Sequence, residues 1–313
     1  MQKTSNPNAT QKAQELLNYL SDTAGKKLIT GQHTQTIPME EVAHIRSVTG
    51  RSPKLIGFEL LSYSPNINYS DASEECLTEV EENRNTLEKA LELAKNSDII
   101  LTFTFHWFSP LGGRDKSFYA ENTDFDPDRI LIEGTPERER FYHDMDVIAG
   151  HLKKFSDADI PILWGPFHEA EGKWFWWGSK GAETACELYK LMYRHYTLDH
   201  KLDNLLWVWN CPAAEAYPGD EFVDVVSMDV YLSEYSPTDY AEEYKRLIAS
   251  TSPRKVCALA ELGYMPDIST LEKSHIPWAY YMTWSKEFCI GDKYNPAERL
   301  REMYFSGYAV TCE

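Results

Sequence analysis

Eight short apolar segments, each bounded by turn-forming residues, recur along this 313-residue chain and predict eight β-strands. They cover residues 27–31, 55–60, 98–107, 160–167, 204–210, 223–231, 255–263 and 278–285. Amphipathic stretches between them predict helices over residues 79–95, 136–155, 183–196, 238–248 and 296–305. Because no linker or repeat interrupts this alternation, we expect a single (β/α)8 TIM barrel domain over residues 1–313. A doubly wound open sheet is the alternative, but no G-x-G-x-x-G or phosphate-binding loop follows the first strand.

Two glutamates stand at the ends of predicted strands, where parallel α/β folds keep their active sites. Glu169 follows the fourth segment and Glu261 ends the seventh. Opposed across a barrel mouth, their carboxyl groups could lie the ~5–5.5 Å apart that a double displacement at a sugar requires. Either glutamate alone could be a salt-bridge partner at the rim. Together they predict glycoside hydrolysis, with Glu169 as acid/base and Glu261 as nucleophile.

Composition narrows the class of ligand. The net charge of −18 disfavours nucleic acid and anionic membranes, which bind clusters of Lys and Arg, whereas a neutral polysaccharide is not repelled. No apolar stretch approaches the ~20 residues that span a bilayer. The chain holds 9 Trp, 19 Tyr and 13 Phe. Core packing accounts for most of them, and the rest suit stacking on the flat faces of sugar rings.

Six further residues are candidates for binding substrate: His106, Trp107, His168, Trp174, Tyr231 and Trp284. His106 and Trp107 end the third predicted strand, and Trp284 lies near the end of the eighth. Trp174 opens a run of four aromatics five residues after Glu169, and Tyr231 could donate a hydrogen bond to an ionised Glu261.

His168 directly precedes Glu169, so strand alternation would send the two side chains to different sides unless a bulge intervenes. A core histidine is the alternative for this position. Asp229 could supply a third carboxylate that supports the geometry. The long connection over residues 109–135 is rich in Gly, Asp and aromatics and predicts one wall of the cleft.

Neither a metal nor an organic cofactor is expected. The His168-Glu169 pair lacks the second histidine of H-E-x-x-H, and no other pair has the helical spacing of metal ligands. The six cysteines contain no CxxC pair; Cys186 and Cys257 are expected to be buried free thiols, and disulfides stay open.

Ten sequence runs resemble those of glycoside hydrolase family 26, and specifically of its β-mannanases. The runs are ITGQH (29–33), YSP (63–65), FHW (105–107), SFY (117–119), TDF (123–125), LW (163–164), HEA (168–170), GKWFWWG (172–178), WVWN (207–210) and YPGD (217–220). The resemblance implies a (β/α)8 barrel that cleaves internal β-1,4-mannosidic bonds of mannan, galactomannan or glucomannan with retention. It gives Glu169 and Glu261 the acid/base and nucleophile roles. It also implies substrate contacts by His106, His168, Trp174, Tyr231 and Trp284.

Three positions depart from the family pattern. Glu59 stands where similar enzymes have Asp, Glu171 replaces a small or amide residue, and Leu262 replaces an aromatic residue. These departures bear on substrate preference, so mixed-linkage β-glucan, β-1,3-xylan and release of mannobiose from chain ends stay open. A non-catalytic carbohydrate-binding barrel is an alternative from a different class.

Location is not decided by the sequence. The amino terminus has no apolar segment typical of a signal peptide, and with the cysteines this favours the cytoplasm. A polysaccharide substrate favours an extracellular protein whose leader has been removed, and this second interpretation is the one that we expect.

Overall fold

The structure, a computed structural model, describes residues 2–313 and contains a closed barrel of eight parallel strands. The barrel strands are β2 (Gly31–Thr34), β4 (Leu55–Glu59), β5 (Ile100–Thr104), β6 (Ile162–Gly165), β7 (Leu205–Asn210), β8 (Val225–Val230), β9 (Val256–Leu262) and β10 (Trp278–Thr283). Each pairs with the next in chain order, and β10 pairs with β2, with Thr283 opposite Gln32. The predicted (β/α)8 barrel is therefore confirmed.

Three short strands lie outside the ring: β1 (Leu28–Ile29), β3 (Ser52–Pro53) and β11 (Ala309–Cys312). β1 leads into β2 and pairs in parallel with both β10 and β11. The pairing between β11 and β3 is antiparallel.

Helices cover the barrel on its outer side. They are α1 (Gln11–Thr23), α2 (Glu40–Thr49), α3 (Glu74–Glu82), α4 (Thr86–Asn96), α5 (Pro136–Asp157), α6 (Ala182–Arg194), α7 (Ala241–Ser250), α8 (Ile268–Ser274) and α9 (Ala297–Phe305). A π-helix (His195–Asp199) continues α6, and short 3₁₀ helices occupy several loops. Among residues 2–313, none of the helices combines the length and apolarity needed to cross a membrane.

Alternation along the strands divides the core into two layers. Leu206 and Val208 of β7 belong to an inner cluster, whereas Trp207 and Trp209 between them pack outward against the helices. The inner cluster also contains the apolar face of α1, including Leu17. Helix α1 therefore covers the amino-terminal end of the barrel and leaves the carboxyl end open.

Element boundaries differ from the prediction in physically informative places. The predicted helix over residues 79–95 is two helices, because Asn83 ends α3 and Asn85 adopts the left-handed region at φ 65°. The third strand ends at Thr104, so His106 and Trp107 lie beyond it. The first barrel strand runs on to Thr34, past the predicted end. Helices α1, α2 and α8 were not predicted.

Candidate active site

A cavity of about 590 Å³ opens at the carboxyl end of the barrel. Seven of the eight predicted site residues line it: His106, His168, Glu169, Trp174, Tyr231, Glu261 and Trp284. Glu59, which was not predicted as a site residue, lines it as well. With Glu59 included, these residues come from the ends of six barrel strands (β4, β5, β6, β8, β9 and β10) and the loops that follow them. Parallel strands converge at this edge, which is why residues distant in sequence meet here.

A second cavity of about 590 Å³ lies against β3, β11 and α2, near the amino-terminal end of β4. Its lining includes Val42, Ile56 and Leu93, and Asp98 and Glu313 are its carboxylates. This cavity lacks the paired buried carboxylates of the first one. The chemistry therefore points to the cavity at the carboxyl end.

The carboxylates of Glu169, Asp229 and Glu261 form the centre of the first cavity. One oxygen of each lies within 4.8 Å of an oxygen of the other two. These oxygens of Glu169 and Glu261 thus lie no more than 4.8 Å apart, which is compatible with the ~5–5.5 Å between the carboxyl groups of a double-displacement pair.

The backbone of Glu169 directs its side chain into the cavity. Strand β6 ends at Gly165, and Glu169 lies in the following loop at φ 52°, a left-handed conformation that non-glycine residues seldom adopt. Such conformations occur where the surrounding structure fixes a functional side chain. This turn, rather than strand alternation, lets His168 and Glu169 both line the cavity.

Two hydrogen bonds distinguish the paired glutamates. The indole nitrogen of Trp174 donates to Glu169 Oε2 at 2.8 Å, and the Tyr231 hydroxyl donates to Glu261 Oε1. Burial raises the pKa of Glu169. Burial and the adjacent Glu169 carboxylate raise the pKa of Glu261 to about 8, against the hydrogen bond from Tyr231. A proton on Glu169 removes that neighbouring charge, so protonated Glu169 and ionised Glu261 form a mutually consistent pair.

Asp229 is the third carboxylate of the cluster. It accepts a hydrogen bond from Asn210 Nδ2 at 2.6 Å, while its Oδ2 has no partner among the described residues. Burial and the charges of Glu261 and Glu169 raise the pKa of Asp229 well above its usual range. The raised pKa favours a proton on Asp229, which would reduce the repulsion among the three buried carboxylates.

A buried ion pair lies beneath the carboxylates. Glu59 accepts hydrogen bonds from the backbone nitrogen of His106 at 2.7 Å, from His106 Nδ1 at 2.8 Å and from Thr104 Oγ1 at 2.9 Å. Burial alone would raise the pKa of Glu59, but the charge and hydrogen bonds of His106 lower it to about 2. Burial opposes the charge of His106 too, yet Glu59 raises the pKa of this imidazole. The pair therefore favours the protonated form of His106 at the floor of an otherwise acidic site.

Two other histidines at the site stay neutral. Burial lowers the pKa of His168 well below its usual range and lowers that of His33 to about 3. His168 Nδ1 is buried without a hydrogen-bond partner among residues 2–313. His33 stacks on Trp284 with ring centroids 3.9 Å apart, and so supports that indole from below.

The four consecutive aromatic residues after Glu169 differ in burial. Trp174 is 49% exposed, whereas Phe175, Trp176 and Trp177 are buried and anchor the loop. Trp176 donates through its indole nitrogen to the backbone of Trp107 at 2.6 Å, and Trp177 donates to His168 at 2.9 Å. Trp174 is thus the exposed member of the run, beside Glu169, and Phe175 also lines the cavity.

The predicted cleft wall over residues 109–135 is present. Ala120 N donates to Trp174 O at 2.7 Å and Trp176 N donates to Phe118 O at 3.0 Å, so this loop pairs with the aromatic loop. Lys116, Phe118 and Tyr119 line the cavity.

Trp107 is not at the cavity. Its side chain is fully buried, stacks on Phe141 with centroids 5.1 Å apart, and donates to Asp144 Oδ2 at 2.9 Å. It follows His106 in a loop whose successive side chains point to opposite sides. The structure therefore gives Trp107 a packing position and leaves it no access to substrate.

Sequence reasoning noted Glu59 only as a departure from a family pattern and did not place it in the site. Its signal was nonetheless available, since Glu59 is the last residue of β4 and Glu261 is the last but one of β9. His33 was missed as well, because the predicted strand ended at residue 31, three residues before the end of β2. Lys116, Phe118 and Tyr119 were expected only as parts of a wall.

The three central carboxylates have spacing that a divalent cation could also use. One oxygen of each already accepts a hydrogen bond, from Trp174, Asn210 and Tyr231. The raised pKa values also favour protons over a metal, because a metal ligand must be ionised. The donor set therefore fits acid/base chemistry better than metal binding.

Comparison with known proteins supplies the family. The glycosyl hydrolase family 26 profile matches residues 5–313. A mannan endo-1,4-beta-mannosidase of Thermothelomyces thermophilus is 33% identical over 98% of this chain, and mannan endo-1,4-beta-mannosidase B of Piromyces sp is 30% identical over 97%. The chain spans 62% and 52% of the lengths of these two relatives.

Solved structures agree in fold. The Podospora anserina GH26-CBM35 beta-(1,4)-mannanase superposes with a TM-score of 0.87 at 34% identity, over 99% of this chain and 68% of that one. A beta-mannanase from a symbiotic protist of the termite Reticulitermes speratus, complexed with gluco-manno-oligosaccharide, gives 0.87 at 27% identity, over 99% and 96%. The chain therefore belongs to glycosyl hydrolase family 26.

Proposed function

We propose that this chain is a retaining endo-β-1,4-mannanase that uses Glu169 as acid/base and Glu261 as nucleophile. The observation that carries the proposal is the approach of these two carboxylates to within 4.8 Å in the cavity at the carboxyl end of the barrel. Membership of the family and the mannanase names of its relatives support mannan as the substrate.

In the first step, Glu169 donates its proton to the glycosidic oxygen while ionised Glu261 attacks the anomeric carbon, and the leaving chain departs. The sugar is then bound covalently to Glu261. In the second step, Glu169 accepts a proton from water, which attacks the same carbon and releases Glu261. Two inversions at one carbon give net retention.

Other cavity residues hold the sugar for these steps. Trp284 offers the face of its indole as a platform, and Trp174 borders the cavity beside the acid/base. The Tyr231 hydroxyl and the His106 imidazolium both stabilise negative charge on Glu261, so they favour its ionised form. His106 and His168 line the cavity, and we expect them to contact sugar hydroxyls.

Replacing each glutamate by glutamine tests the roles. We expect Glu169→Gln and Glu261→Gln each to lower kcat by at least about 10²-fold, since general acid/base groups contribute about 10²–10⁴-fold. Glu215→Gln, at an exposed position outside the cavity, is the matched control and should keep most activity. Circular dichroism checks that all three variants fold. Substantial turnover by either catalytic variant would refute the assignment.

Stereochemistry tests the mechanism independently. Proton NMR during early hydrolysis of manno-oligosaccharides should show the β-anomer of the new reducing end first, before mutarotation. Appearance of the α-anomer first would indicate an inverting enzyme and would overturn the nucleophile role of Glu261.

Substrate and mode of attack need a separate experiment. Linear β-1,4-mannan, mixed-linkage β-glucan and xylan are incubated in parallel, and products are separated by size over time. Cleavage of mannan to a spread of oligomers is the expected result. Mannobiose alone from the start would mean attack at chain ends, and cleavage of glucan only would overturn the substrate. Binding without cleavage would favour a carbohydrate-binding barrel.

A further inference from the structure

A cluster of two histidines and an aspartate lies on the outer helical layer, on elements that the proposed reaction does not use. His195 begins the π-helix at the end of α6, His200 follows it, and Asp146 lies on the neighbouring helix α5. One ligand atom from each of the three residues falls within 4.8 Å of the others.

The π-helix is what brings the histidines together. His200 N donates to His195 O at 3.1 Å, a bond between residues five apart. The wider turn places His195 and His200 on the same side of the segment, whereas an α-helix aligns residues three or four apart. A search for α-helical ligand spacing therefore overlooks this pair. Single-turn π segments inside helices are frequent at functional sites.

The ligand atoms converge on one point. Asp146 Oδ1 lies 2.7 Å from His195 Nε2 and 2.7 Å from His200 Nε2, and the two nitrogens are 3.2 Å apart. Ligands about 2.0–2.1 Å from a tetrahedral zinc ion lie about 3.3 Å from each other. The two nitrogens already have that separation. Moving Asp146 Oδ1 roughly half an ångström away from them would give all three atoms the spacing of zinc ligands.

Protons alone satisfy this arrangement poorly. With Asp146 ionised, protons on both Nε2 atoms give two hydrogen bonds to one oxygen but bring two N–H groups side by side. If one nitrogen loses its proton, its lone pair faces the carboxylate oxygen. A cation resolves the conflict, because both nitrogens and the oxygen then act as electron-pair donors.

The surroundings of His195 match those of a metal-bound imidazole. Its Nδ1 lies 2.8 Å from Asp199 Oδ2, the carboxylate partner that typically fixes the tautomer and orientation of a histidine ligand. The Tyr142 ring packs edge-on against the imidazole at 5.0 Å. The neighbouring Arg194 guanidinium lies over the Phe222 ring instead of the cluster, so it does not repel a cation there.

We propose that Asp146, His195 and His200 bind a divalent transition metal, with zinc as the ion that best suits two imidazoles and one carboxylate. Water would complete the coordination, since Asp146 is 55% exposed. The ion joins α5 to the end of α6, and its expected effect is on stability. This inference is independent of the proposed hydrolysis.

Zinc binding by the whole chain tests the proposal. Protein prepared without a polyhistidine tag and stripped with EDTA is titrated with ZnCl₂ by calorimetry. One zinc per chain is expected, with binding abolished in His200→Ala and in Asp146→Asn. Asp199→Asn should weaken binding by about 10–100-fold. His275→Asn is the control: it removes an exposed histidine elsewhere, and Asn tolerates the left-handed backbone at that position.

Thermal unfolding gives a second readout. Zinc at 100-fold excess over its Kd should raise the Tm of the stripped wild type by roughly 3–6 °C and leave that of His200→Ala unchanged. The proposal is overturned if the wild type binds no zinc, or if His200→Ala binds it with unchanged affinity. Loss of binding in Glu261→Gln, with retention in His200→Ala, would assign the ion to the central carboxylates and also overturn it.

Discussion

At the scale of single residues, the Glu59–His106 pair shows how a buried charge is kept. Glu59 is 1% exposed and would be costly to ionise alone. Three hydrogen bonds from His106 and Thr104 compensate for the lost water. The Glu59 carboxylate thereby reaches both the backbone nitrogen and the ring of His106.

Because the pKa values of Glu59 and His106 are shifted by folding, the free energy of unfolding should depend on pH through this pair. The pKa of Glu59 is lowered from 4.5 to about 2, so its contribution is present above pH 4.5 and is lost as the pH falls through 2. The pKa of His106 is raised from 6.5, so its contribution is complete below pH 6.5 and is lost as the pH rises through the raised value.

We therefore expect Glu59→Gln to be least stable, relative to wild type, between pH 4.5 and 6.5, by about 3–5 kcal/mol. The difference should shrink on both sides of that window. Urea unfolding of both proteins at a series of pH values measures it. Glu287→Gln, at an exposed position on the same cavity, should follow the wild-type curve. A constant difference across pH would mean that the pair contributes through packing alone.

Tyr231 sets the ionisation of the proposed nucleophile. Its hydroxyl bond lowers the pKa of Glu261, against the larger effect of burial. In Tyr231→Phe that bond is absent, so the pKa of Glu261 rises and the acidic limb of kcat/KM should move to higher pH. The pH profile of initial rates measures the shift. Tyr19→Phe, on α1, is the control. A lower kcat/KM with an unmoved limb would mean that Tyr231 acts only by contact with substrate.

At the scale of elements, the loop after Glu169 depends on a glycine. A Cβ on Gly172 would meet ring atoms of Trp174 at 2.2–2.4 Å, so only glycine lets the indole fold back toward Glu169.

Helix α3 ends at its C-cap residue, Asn83, whose side chain holds the segment that follows β4. Asn83 donates from Nδ2 to Glu59 O at 2.9 Å and accepts from Ser62 N at 2.9 Å, which fixes the exit of β4.

Gly172→Ala should displace Trp174 and weaken catalysis by raising KM and lowering kcat, since both the aromatic contact and the hydrogen bond to Glu169 are disturbed. We expect a loss in kcat/KM of about 10²-fold, the scale of a misplacement near 1 Å. Gly150→Ala is the matched control: a methyl group added to this helical glycine would meet no neighbour within 4 Å, and alanine should stabilise α5 by about 0.5–1 kcal/mol. Unchanged kinetics in Gly172→Ala would show that the loop can reposition the indole.

At the scale of the whole molecule, stability and chemistry occupy opposite ends of the barrel. Helix α1 closes the amino-terminal end by packing Leu16, Leu17 and Leu20 into the inner cluster. The carboxyl end keeps its polar side chains and the cavity. A change at the closed end should therefore alter stability while the site keeps its geometry.

Leu17→Ala tests this separation. Leu17 is fully buried, so its truncation should cost about 2–5 kcal/mol of unfolding free energy. The kcat of the folded fraction should stay at the wild-type value. Leu111→Ala, at a 48% exposed loop position, should cost less than about 0.5 kcal/mol. Denaturant unfolding and initial rates measure both quantities. A large fall in kcat for Leu17→Ala would show that α1 is coupled to the site.

The sequence by itself determined the eight strands, the barrel and the two glutamates. Strand periodicity is local, and a residue that ends a strand of a parallel barrel lies near the carboxyl edge, although its side chain need not line the cavity, as Trp107 shows. The sequence also indicated that an aromatic residue lies beside Glu169, because a run of four aromatic residues so close after it places at least one ring near the site.

Only the tertiary structure decided which neighbours each group has. Trp107 and His106 are adjacent in sequence, yet one is core and the other lines the cavity. The left-handed turn at Glu169, the ion pair of Glu59 and the meeting of Asp146 with His195 all depend on contacts between distant segments. Burial and charge act through space, and so the pKa of each group follows from packing that no local pattern contains.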